Sequence, residues 1–157
     1  TPDKKLFRRV MGAFPTGVSV VTCRASDGHP AGFTANSLTS VSLDPLLILV
    51  CVDHGSASQD GILQSGAFAV NILDEDGRNL SDVFARGERE LRFKDLAWHT
   101  EVTGSPVLDD ALAWLDCRVE QTHLAGDHTI VVGRVEACDT REGQPLVYHR
   151  GVYARLS

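Results

Sequence analysis

From Ala111 to Leu124 and again from His128 to Cys138 the chain alternates apolar and polar residues for longer than an average strand, with Gly126-Asp127 between the runs. A period of two places every second side chain on the same face of a sheet. Gly and Asp supply a tight turn. The two runs therefore predict a long β-hairpin, and a chain organised around it is mostly antiparallel sheet.

The other segments fit that frame. Asp3 can cap a first helix whose Leu6, Phe7, Val10, Met11 and Phe14 make one apolar stripe, ended by Pro15 and Gly17. Gly17 to Cys23 reads as a strand, Asp27-Gly28 as a hairpin turn, and residues 31–35 and 38–43 as strands before a turn at Asp44-Pro45. Leu46 to Val52 is apolar throughout, which predicts a strand buried on both faces. Ser56-x-x-Gln59 fits a capping box, opening a helix that Gly66 closes.

Ala67 to Leu73 returns as a strand. Asp76 or Gly77 then starts a short helix with Leu80, Val83 and Phe84 on one side and Gly87 as terminator. Glu88 to Asp95 reads as a charged surface segment or another helical turn. Arg141 to Gly143 is a turn, and Leu146–His149 with Val152–Leu156 supply closing strands. The fold class is mainly β with a few helices, a closed or split antiparallel barrel.

A chain of 157 residues is expected to form one domain, 1–157. Its net charge of −6 argues against nucleic acid as a partner. Cys23, Cys51, Cys117 and Cys138 lie far apart without a Cys-x-x-Cys pair, and read as buried reduced thiols. The longest apolar run falls well short of the roughly 20 residues of a membrane span, so no membrane is expected. The charged, amphipathic start does not read as a signal peptide, and the cytoplasm is the expected location. No Gly-x-Gly-x-x-Gly follows a strand, and P-loop, His-Glu-x-x-His and Gly-x-Ser-x-Gly signatures are absent. The histidines lack metal-ligand spacing, so no metal site is expected. Trp98 and Trp114 read as packing residues.

Two short motifs carry chemistry. Thr34-Ala35-Asn36-Ser37 joins two strand-like runs with small, hydroxyl-rich, uncharged residues, and Gly126-Asp127-His128 sits in the long hairpin. Locally, the first reads as a polar turn and the second as a tight turn. Together with Val41-Ser42-Leu43-Asp44-Pro45 they resemble the short-chain flavin reductases, the NAD(P)H:flavin oxidoreductase family, over nearly the whole chain. The resemblance implies the FMN-binding split-barrel fold, FMN or FAD as flavin, and NADH or NADPH as hydride donor. It also implies a homodimer with each flavin near the subunit interface, and a separate monooxygenase that receives reduced flavin. A flavin-binding electron carrier without efficient nicotinamide oxidation is the rival reading.

The same resemblance assigns the site. Thr34, Ala35, Asn36 and Ser37 wrap the isoalloxazine and ribityl portions, with the Thr34 and Ser37 hydroxyls or backbone N–H groups as donors to the reduced ring. Cys51, Val52 and Asp53 approach through their backbone. Ser56 and Ser58 flank a helix N-terminus whose free N–H groups and dipole suit a flavin phosphate. Phe84, Arg86 and Lys94 belong to the segment after the following helix, the basic pair reaching toward the phosphate or into solvent. His128 is the catalytic candidate at the nicotinamide pocket, with Tyr148 and Tyr153 as further nicotinamide contacts. Thr16 can approach the ring.

Overall fold

The two alternating runs form the spine of the molecule. In the computed structural model, which describes residues 1–157, they are strands Ala113–Ala125 and His128–Thr140. Gly126 turns the hairpin with φ 64°, a backbone conformation that favours glycine.

In chain order the strands are β1 (Thr16–Gly17), β2 (Ser19–Arg24), β3 (Pro30–Ala35), β4 (Thr39–Leu43), β5 (Leu46–Asp53) and β6 (Ala67–Ile72). They continue as β7 (Trp98–Thr100), β8 (Pro106–Leu108), β9 (Ala113–Ala125), β10 (His128–Thr140), β11 (Val147–His149) and β12 (Val152–Ala154). The helices are α1 (Lys4–Gly12), α2 (Ala57–Ser65) and α3 (Arg78–Arg86), followed by a 3₁₀ turn, Arg89–Leu91. No helix is long and apolar enough to cross a membrane.

Seven strands make one antiparallel sheet in the order β3-β2-β6-β9-β10-β5-β4. Its edge strands, β3 and β4, are not paired with each other, so the sheet is not a closed barrel. Yet only Asn36, Ser37 and Leu38 separate them in the chain. Four residue steps span at most about 14 Å. A flat seven-stranded sheet would hold its edges about 29 Å apart. The sheet must therefore curl until its edges approach, leaving an open seam bridged by Asn36–Leu38. That is the split antiparallel barrel expected from the sequence.

Curling buries both faces of the central strands. Along β2, Val21 and Cys23 join one core cluster with Val50, Val52, Ile62 and Phe68, whereas Val20 joins a second with Phe84, Leu108 and Leu146. α2 packs on β2, β3, β5 and β6, strands from both halves of the sheet, and plugs the curl. The strands buried on both faces are thus β2 and β6, and the expectation for Leu46–Val52 is corrected. In β5 only Ile48, Val50 and Val52 are buried, because its neighbour β4 is an edge and Leu46 stays exposed.

Buried polar groups tie the layers together. Asn71 donates to Val20 O at 3.0 Å and accepts from Leu108 N at 2.8 Å, pinning β2, β6 and β8. Asp116, the one fully buried carboxylate, accepts from Val102 N (2.8 Å), Thr103 N (2.9 Å) and the Thr103 hydroxyl, fixing the β7–β8 loop. All four cysteines are free thiols; Cys23 and Cys117 are buried, and burial pushes both up to about 12. Cys51 is only half-buried and Cys138 is exposed on the outer end of β10, correcting the expected burial. Trp98 packs edge-on against Phe93 and under the Arg24 guanidinium.

Candidate functional site

The seam makes the site. Two hollows lie beside the Ala35-Asn36-Ser37 bridge and share it as a wall, one of about 1010 Å³ and one of about 820 Å³. Small residues at the bridge leave room for a flat ligand to rest against backbone. Ala35 is 9% exposed, and Asn36 stands open beside it.

The larger cleft gathers most of the expected ligands. Thr34, Ala35, Asn36, Ser37, Cys51, Asp53, Ser56, Ser58, Phe84 and His128 all line it. They arrive from β3, the seam, the end of β5, α2, α3 and the start of β10. Val52 does not line it: alternation along β5 turns its side chain into the core, where it is fully buried. Cys51, one residue earlier, faces the cleft.

Hydrogen bonds set the polarity of each hydroxyl. Ser37 Oγ accepts from Cys51 N at 3.0 Å, so its own proton is free for a ligand. Thr34 Oγ1 lies 2.6 Å from Ser81 O, a carbonyl that can only accept. Its single proton is spent there, which corrects the expectation of Thr34 as a donor.

Ser56 Oγ accepts from Gln59 N at 3.1 Å and donates to Asp53 O at 3.0 Å, the work of an N-cap. The capping box is only half made, since Gln59 Oε1 is buried without a partner. Ser58, in the first turn of α2, lines the cleft although only 5% exposed, and its carbonyl accepts the Cys23 thiol.

The basic residues differ from expectation. Arg86 and Lys94 are exposed and line neither hollow; Arg89 and Arg92 line the larger one instead. Arg92 is already engaged, with Nη1 donating to Gly32 O at 2.8 Å and Nε to Gly87 O at 3.1 Å. Burial, then the Arg89 charge, lowers its pKa from the usual arginine value. Arg89 is exposed and makes no ion pair, so it is the cation available to a ligand.

The two tyrosines do not reach the larger cleft. Tyr148 lies with Thr16 in the smaller hollow beyond the seam. Tyr153 lines neither; its hydroxyl donates to Asp82 Oδ1 at 2.8 Å and meets Ser81 Oγ at 2.8 Å, binding β12 to α3. Desolvation raises its pKa.

The fold and cleft define a β protein whose seam gathers around one hollow the uncharged Ser37 donor, the N-terminus of α2 and one unpaired arginine, Arg89. A family model described as the flavin reductase like domain matches residues 11–157, and the chain belongs to that family. It is 41% identical over 155 residues to the FMN reductase (NADH) SmoA of Agrobacterium fabrum, covering 99% of this chain and 87% of that one. It is 42% identical over 146 residues to the reductase component of a flavin-dependent trigonelline monooxygenase from Acinetobacter baylyi, covering 93% of this chain and 47% of that one. The NADH:FAD oxidoreductase SgcE6 of Streptomyces globisporus, solved with NAD and FAD fragments, superposes with a TM-score of 0.92 at 34% identity, covering 99% and 93% of the two chains. The chain spans about half the length of the first two curated relatives it matches, 48% and 47%.

Proposed function

We propose that this chain is an NAD(P)H:flavin oxidoreductase that moves a hydride from reduced nicotinamide to FMN or FAD. The carrying observation is the convergence on one cleft of the free Ser37 proton, the Ser58 hydroxyl at the N-terminus of α2, Arg89 and His128. Bound flavin supplies the hydride acceptor, so the chain needs neither a carboxylate pair nor a nucleophile.

The chain's residues bind, orient and exclude water. Ala35 lets the ring plane settle on the seam, and Ser37 donates to an acceptor on the ring's edge. The N–H groups of the first turn of α2, the Ser58 hydroxyl and Arg89 hold the phosphate. Hydride transfer requires reacting atoms about 3–3.5 Å apart. Ala31, Phe84 and Phe93 give the cleft an apolar wall against water. His128, at the rim, takes the nicotinamide side.

The relatives that are monooxygenase reductase components support a separate monooxygenase as recipient of the reduced flavin. A homodimer is supported by α1 and the turn after it: Leu6, Phe7, Val10 and Met11 on the helix and Phe14 just beyond its end are all exposed although they are large and apolar. The test is steady-state oxidation of NADH and NADPH with FMN, FAD and riboflavin in turn. Turnover with at least one pair, and a changed flavin spectrum on binding, is expected. No turnover and no spectral change with any pair would overturn the reading.

A further inference from the structure

Four free thiols occupy three kinds of place in this chain. Cys23 and Cys117 are fully buried, and burial pushes both up to about 12, so they hold almost no thiolate. Cys138 is exposed at the outer end of β10. Cys51 alone lines the larger cleft. Alternation along β5 sends Val50 and Val52 into the core and the half-buried Cys51 side chain the other way. The same cleft holds a second polar group without a partner: Ser58 is 5% exposed, lines the cleft, and its hydroxyl enters no hydrogen bond within the chain.

No other thiol can reach Cys51. Its cross-strand neighbour in β10 is Ile130, and Cys138 lies eight residues further along that strand, about 26 Å away. Cys23 packs with Val50 and Val52 on the opposite side of β5, its thiol 3.7 Å from Ser58 O.

We propose that Cys51 is a self-oxidation site: hydrogen peroxide formed in the cleft converts its thiol to a sulfenic acid, which stops turnover when no acceptor takes the reduced flavin. The proposal rests on the flavin reading above. Dioxygen entering the cleft takes two electrons and two protons from the reduced flavin and becomes hydrogen peroxide. The Cys51 thiolate attacks one peroxide oxygen. An S–O bond forms, the O–O bond breaks, and the departing hydroxide combines with the proton the thiol had lost, giving water. Sulfur is oxidised by two electrons and peroxide is reduced by two. With no second thiol to condense with, the sulfenic acid stands until an external thiol reduces it. Cys51 N is bonded to Ser37 Oγ at 3.0 Å, so the added oxygen stands beside the donor meant for the ring and crowds the flavin.

The test is peptide mass spectrometry of the FMN-loaded protein oxidising NADH in air. Dimedone traps sulfenic acids, and catalase destroys peroxide that reaches bulk solution. Cys51 should carry the adduct and Cys138 should not, although Cys138 is the more exposed. Omitting oxygen or NADH should abolish it. In samples without dimedone, FMN affinity should fall about tenfold during turnover and recover with dithiothreitol. Cys138→Ser should leave that loss as it is, and Cys51→Ala should remove it whatever its starting affinity. Labelling of Cys138 ahead of Cys51, or an unmodified Cys51 while NADH and oxygen are consumed, overturns the proposal. The wild-type adduct decides even if a variant fails to fold. A wild type that oxidises no NADH with any flavin refutes the flavin reading and the proposal with it; one that turns over in air with Cys51 intact refutes the proposal alone.

Discussion

His99 is gripped from both sides of its ring. Nδ1 lies 2.6 Å from Asp109 Oδ1 and Nε2 lies 2.7 Å from Glu101 Oε2. Both partners are carboxylates, so satisfying both contacts requires the doubly protonated imidazolium. The Asp109 hydrogen bond, with help from Glu101 and against desolvation, raises the His99 pKa above 6.5. A raised value means the folded state holds the proton more tightly than the unfolded chain does. The stabilisation is therefore complete below pH 6.5 and fades as pH climbs through the raised value. His99→Gln should cost most stability on the acidic side and progressively less above neutrality. The ring is 46% exposed, so the effect is small and salt-sensitive. Denaturant unfolding of both proteins across that range checks it; a cost that grows with pH would contradict the clasp.

At the scale of elements, the start of α2 gives two serines, Ser56 and Ser58, different surroundings within three residues. Ser56 spends its hydroxyl on Gln59 N and Asp53 O, whereas Ser58 lines the cleft. Ser56→Ala should cost about 0.5–2 kcal/mol of stability. Ser58→Ala should leave the unfolding midpoint nearly unchanged and weaken FMN about fivefold. Thermal melts and flavin titration distinguish the two, and equal FMN affinity in Ser58→Ala and wild type would move the phosphate elsewhere. The cap was legible because Ser-x-x-Gln is a local code. The long hairpin was legible for the same reason, since alternation over thirteen residues in β9 and β10 leaves one reading. The β7–β8 pair was missed: three residues each, Trp98–Thr100 and Pro106–Leu108, are too few to display a period. The arginines were misplaced for a geometric reason. Gly87 ends α3 in an extended conformation (φ −67°, ψ 158°), and the 3₁₀ turn that follows resets the phase. Arg89 and Arg92, three apart, share a side of that turn; Arg86 and Lys94 fall outside it. Tyr153 went astray because its position depends on the small β1-β11-β12 sheet, whose order no local pattern encodes.

For the whole molecule, the open question of shape is settled by connectivity: three residues between two edge strands force the curl, and the seam so created is the cleft. The same scale governs assembly. α1 has no buried residue, and its apolar stripe, with Phe7 62% and Val10 61% exposed and Phe14 just past its end 68% exposed, lies beside Lys4, Lys5, Arg8 and Arg9. The chain nevertheless carries a net charge of −6, so the surface outside α1 is more acidic still. A second copy offers that helix both apolar cover and opposite charge. Val10 does not border the two hollows at the seam, so changing it probes the contact without touching the cleft. Val10→Glu buries an unpaired charge in any dimer built on α1, and should weaken self-association at least about tenfold. The isolated fold should survive, because no core contact is lost. Sedimentation across a concentration series reads the association, and flavin titration on the same samples reads the site. If flavin affinity falls in step with dissociation, the partner copy completes the cleft. A wild type that sediments as a monomer, or a variant that associates as strongly as wild type, would place the stripe outside the subunit interface.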